Sequence, residues 1–271
     1  MTQLAVLGGG NMAQALVLGA VGSGSLNQRD IVVADPDPVK REIFTQAGIE
    51  AFANFADTAP RVVPGTQVLL AVKPQVLPDT AADLAAAAGD APRVFISVLA
   101  GTTGAGVRRT VGAHARVVRL MPNTPARIGR GITAITRSAG AEDGDDALAR
   151  TLASSVGRVA DLPEELFDAF TAAAGSGPAY VFYLAEAMRR GAERAGIDPG
   201  DADRIVRAVL TGAAALLDHD PGTPAEDLRA AVTSKGGTTA AAVRALDDAG
   251  VMRAVEDAVI AARDRGRELG S

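Results

Sequence analysis

LAVLGGGNMA at residues 4–13 joins a short apolar segment to a glycine-rich turn and a helix-forming segment. The four apolar residues predict a buried strand, and the alanines and leucines after Met12 predict a helix. In this context of strand, turn and helix, a G-x-G-x-x-G/A pattern indicates a dinucleotide-binding turn. Gly8 permits the tight turn, Gly10 lets the backbone approach a pyrophosphate, and Ala13 allows the helix to pack closely on the strand.

A second strand is predicted at residues 30–34 and ends at Asp35, which lies 22 positions after Ala13. An acidic residue at about this spacing binds the adenosine ribose in dinucleotide-binding folds. Asp35 is suited to accept hydrogen bonds from a 2′-hydroxyl and to repel a 2′-phosphate. Lys40 and Arg41 are suited either to neutralise such a phosphate or to lie in solvent on the next helix. The predicted cofactor is therefore NADH or NADPH, with a slight preference for NADH.

Apolar segments continue to alternate with helix-forming segments up to residue 160, which predicts a doubly wound α/β sheet. Further strands are predicted at residues 66–72, 93–98 and 116–121, and edge-type strands at 132–136 and 157–160 with a helix over 142–155 between them. Ligands bind such sheets outside the carboxyl ends of the strands. The candidate cofactor-binding residues at this edge are Gly8, Gly10, Asn11, Met12, Asp35, Ala71, Val72, Lys73, Pro74, Met121 and Asn123.

Lys73 directly follows a fully apolar segment. Two interpretations of this lysine stay open. It either points at the cofactor or substrate, which makes it a candidate for the catalytic site, or it marks the place where the strand emerges into water.

From Glu164 onward the strand patterns end and helical periodicity begins. This change predicts a Rossmann domain at residues 1–162 and a helical domain at 163–271. The first of three apolar stripes contains Tyr180, Tyr183, Leu184, Ala187, Met188 and Gly191. Such stripes exceed what a small helical domain needs for its own core, so we expect the helices of two chains to intertwine.

VTSKGGTTAAAV at residues 232–243 brings hydroxyl residues and two glycines to the start of an alanine-rich helix. Free backbone N–H groups and hydroxyls at a helix start form a cradle for an anion. The alternative is a helix start capped by serine or threonine with nothing bound.

The composition excludes several classes of function. The 271 residues include no cysteine, so thiolate metal sites and a cysteine nucleophile are excluded, and the two histidines are too few for a histidine-rich metal site. A net charge of −5 without basic clusters gives no reason to expect nucleic acid. No signal peptide is recognised and no apolar run approaches a membrane span, so we expect a soluble cytoplasmic protein with no metal and no membrane partner.

With these motifs on one chain, the sequence resembles the pyrroline-5-carboxylate reductase family over essentially its full length. The motifs that carry the resemblance are GGGNMA at 8–13, AVKPQ at 71–75, MPNTP at 121–125, GSGPAY at 175–180 and the segment at 232–243. In relatives the last loop usually reads Ser-Pro-Gly-Gly-Thr-Thr, whereas this chain has Lys235 in place of the proline. The change removes a fixed φ from the loop.

The resemblance implies an enzyme that reduces 1-pyrroline-5-carboxylate to L-proline with NAD(P)H, the last step of proline biosynthesis. It also implies a helical domain that swaps helices in a homodimer, often assembled into a larger ring. The substrate pocket would then combine the nicotinamide side of one chain with the loop at residues 234–239 of its neighbour.

The roles of the site residues follow from what this substrate needs. We assign its carboxylate to the backbone N–H groups of Gly236, Gly237 and Thr238 together with the Ser234 hydroxyl. We assign its ring nitrogen to Thr239 Oγ. The candidate substrate-binding residues are Ser234, Gly236, Gly237, Thr238 and Thr239, and the candidate catalytic residues are Thr239, Ser234 and Lys73.

Two other classes of function are alternatives to this one. Another Rossmann reductase, acting on 3-hydroxy acids or a different cyclic imine, would need a catalytic lysine within its helical part, where Lys235 in the loop is the only lysine. A nucleotide sensor without enzymatic activity would have no reason for a loop so rich in donors.

Overall fold

The computed structural model describes residues 1–89 and 91–270, which form two compact units. The first unit consists of Met1–Ser176 together with the last residues from Ala262 onward, and the second consists of Gly177–Ala261.

The first unit contains one eight-stranded sheet. Its strands are β1 Leu4–Leu7, β2 Ile31–Ala34, β3 Glu50–Phe52, β4 Gln67–Leu70, β5 Arg93–Ser97, β6 Ala115–Met121, β7 Gly131–Arg137 and β8 Gly157–Asp161. Their spatial order is β3-β2-β1-β4-β5-β6-β7-β8, and β1 to β6 are parallel. The predicted fold class, a doubly wound α/β sheet followed by helices, is confirmed.

Helices cover both faces of this sheet, which is why β1, β2 and β5 are buried along their whole length. They are α1 Asn11–Gly22, α2 Pro38–Gln46, α3 Ala81–Ala88, α4 Gly104–Val111 and α5 Ala147–Ser154. One core cluster includes Leu16 of α1, Phe44 of α2 and Leu152 of α5. The cluster on the other face includes Leu84 of α3 and Val107 of α4.

The direction of β7 differs from that of the strands before it. β7 is antiparallel to β6, and β8 is parallel to β7. The nine-residue connection from Met121 to Gly131 is too short for the crossover that a parallel strand requires. Both predicted strands exist, but the edge assignment of residues 132–136 is wrong, because β8 covers that side of β7.

One further strand and one helix boundary differ from the sequence prediction. The three-residue β3 at the opposite edge was not predicted. The helix predicted from Glu142 begins only at Ala147, because a turn precedes it. In that turn the Glu142 N–H donates to Asp145 Oδ2 over 2.8 Å, and Gly144 has a φ of +90°.

Two glycines permit close approaches of the backbone around β7: Gly157 lets β8 approach β7, and Gly131 lets β7 approach the segment that connects β6 to β7. A Cβ on Gly157 would collide with the carbonyl oxygen of Gly131, and a Cβ on Gly131 would lie 2.9 Å from Ala126. Ala126 belongs to the short 3₁₀ segment Thr124–Ile128. The place of this segment, just after β6, therefore depends on backbone contacts that no side chain separates.

From Phe167 onward the structure is helical. Its helices are α6 Phe167–Phe170, a π turn at Thr171–Gly175, α7 Gly177–Arg194, α8 Pro199–His219, α9 Ala225–Ala231, α10 Thr238–Asp248 and α11 Val251–Gly270. Pro178 lies in the first turn of α7. Ser176 has αR backbone angles and its N–H donates to Thr171 O over 2.8 Å, so the π turn continues into α7 without an extended capping residue.

The second unit buries few apolar side chains. Within Gly177–Ala261, where every residue is described, Ala202 and Val206 are the only buried ones. Phe182 and Tyr183 on α7 are 68% and 76% exposed. Large apolar side chains exposed in this number indicate a surface for protein association. No helix in the described part of the chain combines the length and the apolar composition that a membrane crossing requires.

Candidate active site

The glycine-rich turn connects β1 to α1 as predicted. Gly8 has a φ of +97°, its N–H donates to Ala34 O over 2.8 Å, and a Cβ on it would lie 2.8 Å from Ala71 O. Gly8 is therefore needed both for the left-handed backbone and for the close approach to the chain after β4. A Cβ on Gly10 would meet nothing within 4 Å, so open space lies in front of this residue.

The start of α1 provides donors beside that open space. The first N–H groups of a helix have no partner within the helix, so those of Asn11 and Met12 are available to a ligand. In this fully described segment, no side chain caps α1 and no acidic residue lies in its first turn. Gln14 Nε2 donates to Gly9 O over 2.8 Å and so supports the turn from behind. These features fit the pyrophosphate of a dinucleotide.

Asp35 is buried after β2 and binds the glycine-rich turn directly. Its Oδ2 accepts from the Gly9 N–H over 2.8 Å, and its Oδ1 accepts from the Asp37 N–H over 2.9 Å. Lys40 Nζ lies 3.4 Å from both carboxylate oxygens. Arg41 instead donates through Nη1 to the carbonyl oxygens of Asp35 and Pro36, each over 2.8 Å. Asp35, the residue predicted to bind the ribose, thus already takes part in a hydrogen-bond network within the protein.

The rim of the predicted cofactor site consists of the segments that follow β4 and β6. The segment after β4 lies at the carboxyl edge of the sheet, where the strand order reverses between β1 and β4. The Ala71 N–H donates to Leu7 O over 2.8 Å and continues the pairing of these two strands. Lys73 follows in an extended conformation with an exposed side chain, before the 3₁₀ turn Pro74–Val76. This placement agrees with both interpretations of Lys73.

The rim after β6 contacts the π turn, a contact that sequence reasoning missed. Asn123 is buried, its Nδ2 donates to Ala174 O, and its Oδ1 accepts from the Ile132 N–H, both over 3.0 Å. The Met121 side chain lies 3.6 Å from where a Cβ on Gly175 would stand. Because the amide of Asn123 already bonds at both ends, its side chain holds the rim in shape.

A carboxylate network connects the segment after β8 to the sheet, and no sequence pattern predicted it. Glu164 accepts from the Gly104 N–H over 2.7 Å, from Arg119 Nη1 over 3.0 Å and from the Ser138 hydroxyl. The guanidinium carbon of Arg119 lies 4.6 Å from the centre of the Phe167 ring. Burial raises the pKa of Glu164, but the hydrogen bonds and the charge of Arg119 outweigh it and hold that pKa below its usual value.

The predicted anion cradle lies at the start of α10 in the second unit. Gly237 is the N-cap residue in extended conformation, and in this described segment no side chain caps the helix. The Gly237 N–H, which we assigned to the substrate carboxylate, donates to Ser234 O over 3.0 Å and closes the turn. A Cβ on Gly237 would lie 2.5 Å from Ser234 Oγ, and Gly236 has a φ of +76°. The N–H groups of Thr238 and Thr239 lie in the first turn, where a helix leaves them unpaired.

The first unit therefore gathers the predicted cofactor residues at one edge of its sheet, and the loop with the predicted substrate residues belongs to the second unit. Among the described residues, no three or more His, Asp or Glu side chains form a group that could hold a metal ion.

Comparisons with known proteins agree with this division. Residues 164–269 match the family model for pyrroline-5-carboxylate reductase dimerisation, and residues 3–101 match the model for NADP oxidoreductase, coenzyme F420-dependent. A pyrroline-5-carboxylate reductase of Synechocystis is 37% identical over 269 residues, which are 99% of this chain and 98% of the relative. One of Mycobacterium tuberculosis is 36% identical over 290 residues, covering 99% and 97% of the two chains. The structure of one from Coxiella burnetii has a TM-score of 0.89 at 28% identity and covers 100% and 99% of the two chains.

Proposed function

This chain belongs to the pyrroline-5-carboxylate reductase family, and from that membership we propose how its residues bind and orient the reactants. It is an NAD(P)H-dependent oxidoreductase that reduces 1-pyrroline-5-carboxylate to L-proline. The reduced nicotinamide, when bound, supplies the hydride for the imine carbon. The protein's task is to hold the donor and acceptor carbons about 3–3.5 Å apart and to manage the charges around them.

The glycine-rich turn holds the pyrophosphate through the N–H groups at the start of α1. Gly10 leaves the space that the phosphates need, and the positive end of the α1 dipole attracts them. Lys73 after β4, Met121 at the end of β6 and Asn123 just after it line the cofactor crevice at its nicotinamide end.

The loop before α10 holds the substrate carboxylate. The N–H groups of Gly236, Thr238 and Thr239 and the Ser234 hydroxyl are the donors, and Gly237 makes room for Ser234 Oγ by lacking a Cβ. The observation that carries this assignment is the uncapped start of α10, whose first turn contains no acidic residue. A carboxylate at this position gains from both the hydrogen bonds and the helix dipole.

Thr239 Oγ orients the imine nitrogen and relays the proton to the new amine. Thr239→Val keeps the shape of the side chain and should lower kcat/KM for pyrroline-5-carboxylate by about one to three orders of magnitude, or roughly 1.4–4 kcal/mol of transition-state binding. Thr151→Val is the matched control, because the Thr151 hydroxyl donates to Ala147 O within α5. The assay follows cofactor oxidation and identifies proline as the product, and wild-type kinetics in Thr239→Val would refute the assignment.

The chain has a dimerisation domain, and we extend this to a helix-swapped homodimer, with a ring of such dimers as a further level. The exposed apolar faces of α7, α8 and α11 support association of two helical units. In this arrangement each site combines the crevice of one chain with the Ser234 loop of its partner. Native mass spectrometry would distinguish a dimer from a ring.

A complementation experiment tests the shared site. Gly10→Asp puts a negative charge where the pyrophosphate binds without a clash, since a Cβ there meets nothing within 4 Å. The Gly10→Asp homodimer should be nearly inactive, and the Thr239→Val homodimer should retain at most about a tenth of wild-type activity. Co-expression should restore about a quarter of wild-type activity, because half of the random dimers are mixed and each mixed dimer contains one intact site. If each site lay within one chain, no activity would return.

The helical domain begins at Pro163, which the start of the matched dimerisation model at residue 164 supports and limited proteolysis would test. The enzyme acts in the cytoplasm, which cell fractionation would test. NADH is slightly preferred because of Asp35, and a kcat/KM tenfold higher with NADPH would contradict this preference.

A further inference from the structure

Lys40 and Asp35 form an ion pair at the predicted ribose end of the crevice. Lys40 Nζ lies 3.4 Å from the carboxylate, and the side chain of Lys40 is 41% exposed while that of Asp35 is 6% exposed. Asp37 lies at 3.9 Å from the same ammonium group. The lysine is thus a partly exposed cation held over a buried anion.

The remaining capacity of Asp35 to accept hydrogen bonds is limited. Each of its carboxylate oxygens already accepts from one backbone N–H, of Gly9 and of Asp37. A carboxylate has about four lone-pair positions, so two remain. Lys40 lies within 3.4 Å of both oxygens and faces these positions. A ribose 2′-hydroxyl that donates to Asp35 must therefore share the carboxylate with Lys40 or displace it.

Arg41, the other cation of this turn, is differently placed. Its Nη1 donates to two backbone carbonyl oxygens over 2.8 Å each, which anchors the guanidinium to the chain after β2. Among the described residues, Lys40 is held only by its ion pairs with Asp35 and Asp37, its side chain is 41% exposed, and a 2′-phosphate would give the flexible ammonium group another anionic partner. Of the two residues, Lys40 is the one free to turn toward a phosphate.

We infer that Lys40 sets the discrimination between NADPH and NADH in this chain. With a 2′-phosphate in the crevice, Lys40 leaves Asp35 and pairs with the phosphate, and it thereby offsets the repulsion from the buried carboxylate. With a 2′-hydroxyl, Lys40 competes with the ribose for Asp35 and weakens the preference for NADH. This inference rests on the proposed binding of the dinucleotide at the glycine-rich turn.

The test measures binding to the intact oligomer by calorimetry, without turnover. Adenosine 2′,5′-bisphosphate and 5′-AMP are the probes, because they differ only in the 2′-phosphate. Lys40→Met removes the charge and keeps the length of the side chain. It should weaken the bisphosphate about tenfold or more and leave 5′-AMP as tight as before or tighter, since a charged hydrogen bond is lost only with the phosphate. Lys40→Arg should restore most of the bisphosphate affinity.

Arg41→Met is the matched control and should leave the ratio of the two affinities within about twofold of wild type, because its guanidinium is anchored to carbonyl oxygens. An unchanged ratio in Lys40→Met, an equal loss of both probes, or an equal effect of Arg41→Met would overturn the inference. If the wild-type protein reduced pyrroline-5-carboxylate while Lys40→Met kept the ratio, this inference alone would fail. If the wild-type protein bound neither probe and reduced nothing, the proposed function would fail as well.

Discussion

Replacing Glu164 tests whether the carboxylate network holds the start of the helical half to the sheet. Glu164→Ala removes the acceptor of three hydrogen bonds, from Gly104, Arg119 and Ser138. Arg119 stays behind with a side chain only 6% exposed. Breaking a buried ion pair in this way costs about 3–5 kcal/mol. Because the Glu164 side chain is 30% exposed and water can replace part of the network, we expect the lower end, about 3 kcal/mol.

The measurement is the free energy of unfolding by urea at fixed protein concentration, because association contributes to it. Asp143→Ala is the matched control, since Asp143 also pairs with an arginine but is 99% exposed. Its free energy of unfolding should stay at the wild-type value. Glu164→Gln keeps the shape and loses the charge, so it should cost about half as much as Glu164→Ala. A loss below about 1 kcal/mol in Glu164→Ala would refute the reasoning.

The stability difference between wild type and Glu164→Gln should depend on pH. The pKa of Glu164 is lower in the folded protein than its usual value of 4.5. Its ionised form therefore stabilises the fold above that value, and this contribution is lost as the pH falls through the folded pKa. The difference in unfolding free energy between wild type and Glu164→Gln should be constant near neutral pH and shrink below about pH 4.5. A difference that grew on acidification would contradict the assignment.

Three further outcomes are expected. Asn123→Ala leaves the Ile132 N–H and the Ala174 carbonyl without their buried partner. The free energy of unfolding by urea should therefore fall by about 2 kcal/mol. A loss near zero would mean that water replaces the amide. Gly8→Ala places a Cβ 2.8 Å from Ala71 O at a positive φ. Cofactor titration should therefore show weakened binding, and the free energy of unfolding by urea should fall by about 1–3 kcal/mol. A wild-type affinity for the cofactor would show that the turn relaxes. The thermal midpoint should fall on tenfold dilution, because the second unit buries only two apolar side chains by itself, and a midpoint independent of concentration would argue for a stable monomer.

The parts of the fold that local patterns specify could be predicted from the sequence. The apolar runs predicted the strands, and the glycine turn predicted the first strand-to-helix connection. The antiparallel direction of β7 follows from a connection length that the strand pattern alone does not use. The π turn could not be predicted, because it differs from an α-helix by one hydrogen-bond register and has no residue pattern of its own.

The candidate site was predictable in its positions and less so in its bonding. Motif spacing placed Asp35 and Asn123 at the crevice but did not reveal that both already bond to the backbone. The partners of Glu164 are 26 to 60 positions away along the chain, so no local pattern connects them. Such long-range bonds decide which polar groups remain available to a ligand.

The contact between Gly131 and Gly157 should restrict substitution at these two positions, in contrast to Gly10. Gly10 faces open space, so a library selected only for soluble folding should accept many residues there, and a second selection for turnover should remove them. At Gly131 and Gly157 the folding selection alone should leave little besides glycine, because a Cβ collides with backbone. The two selections would thus separate glycines that were inherited for packing from glycines that were inherited for the ligand.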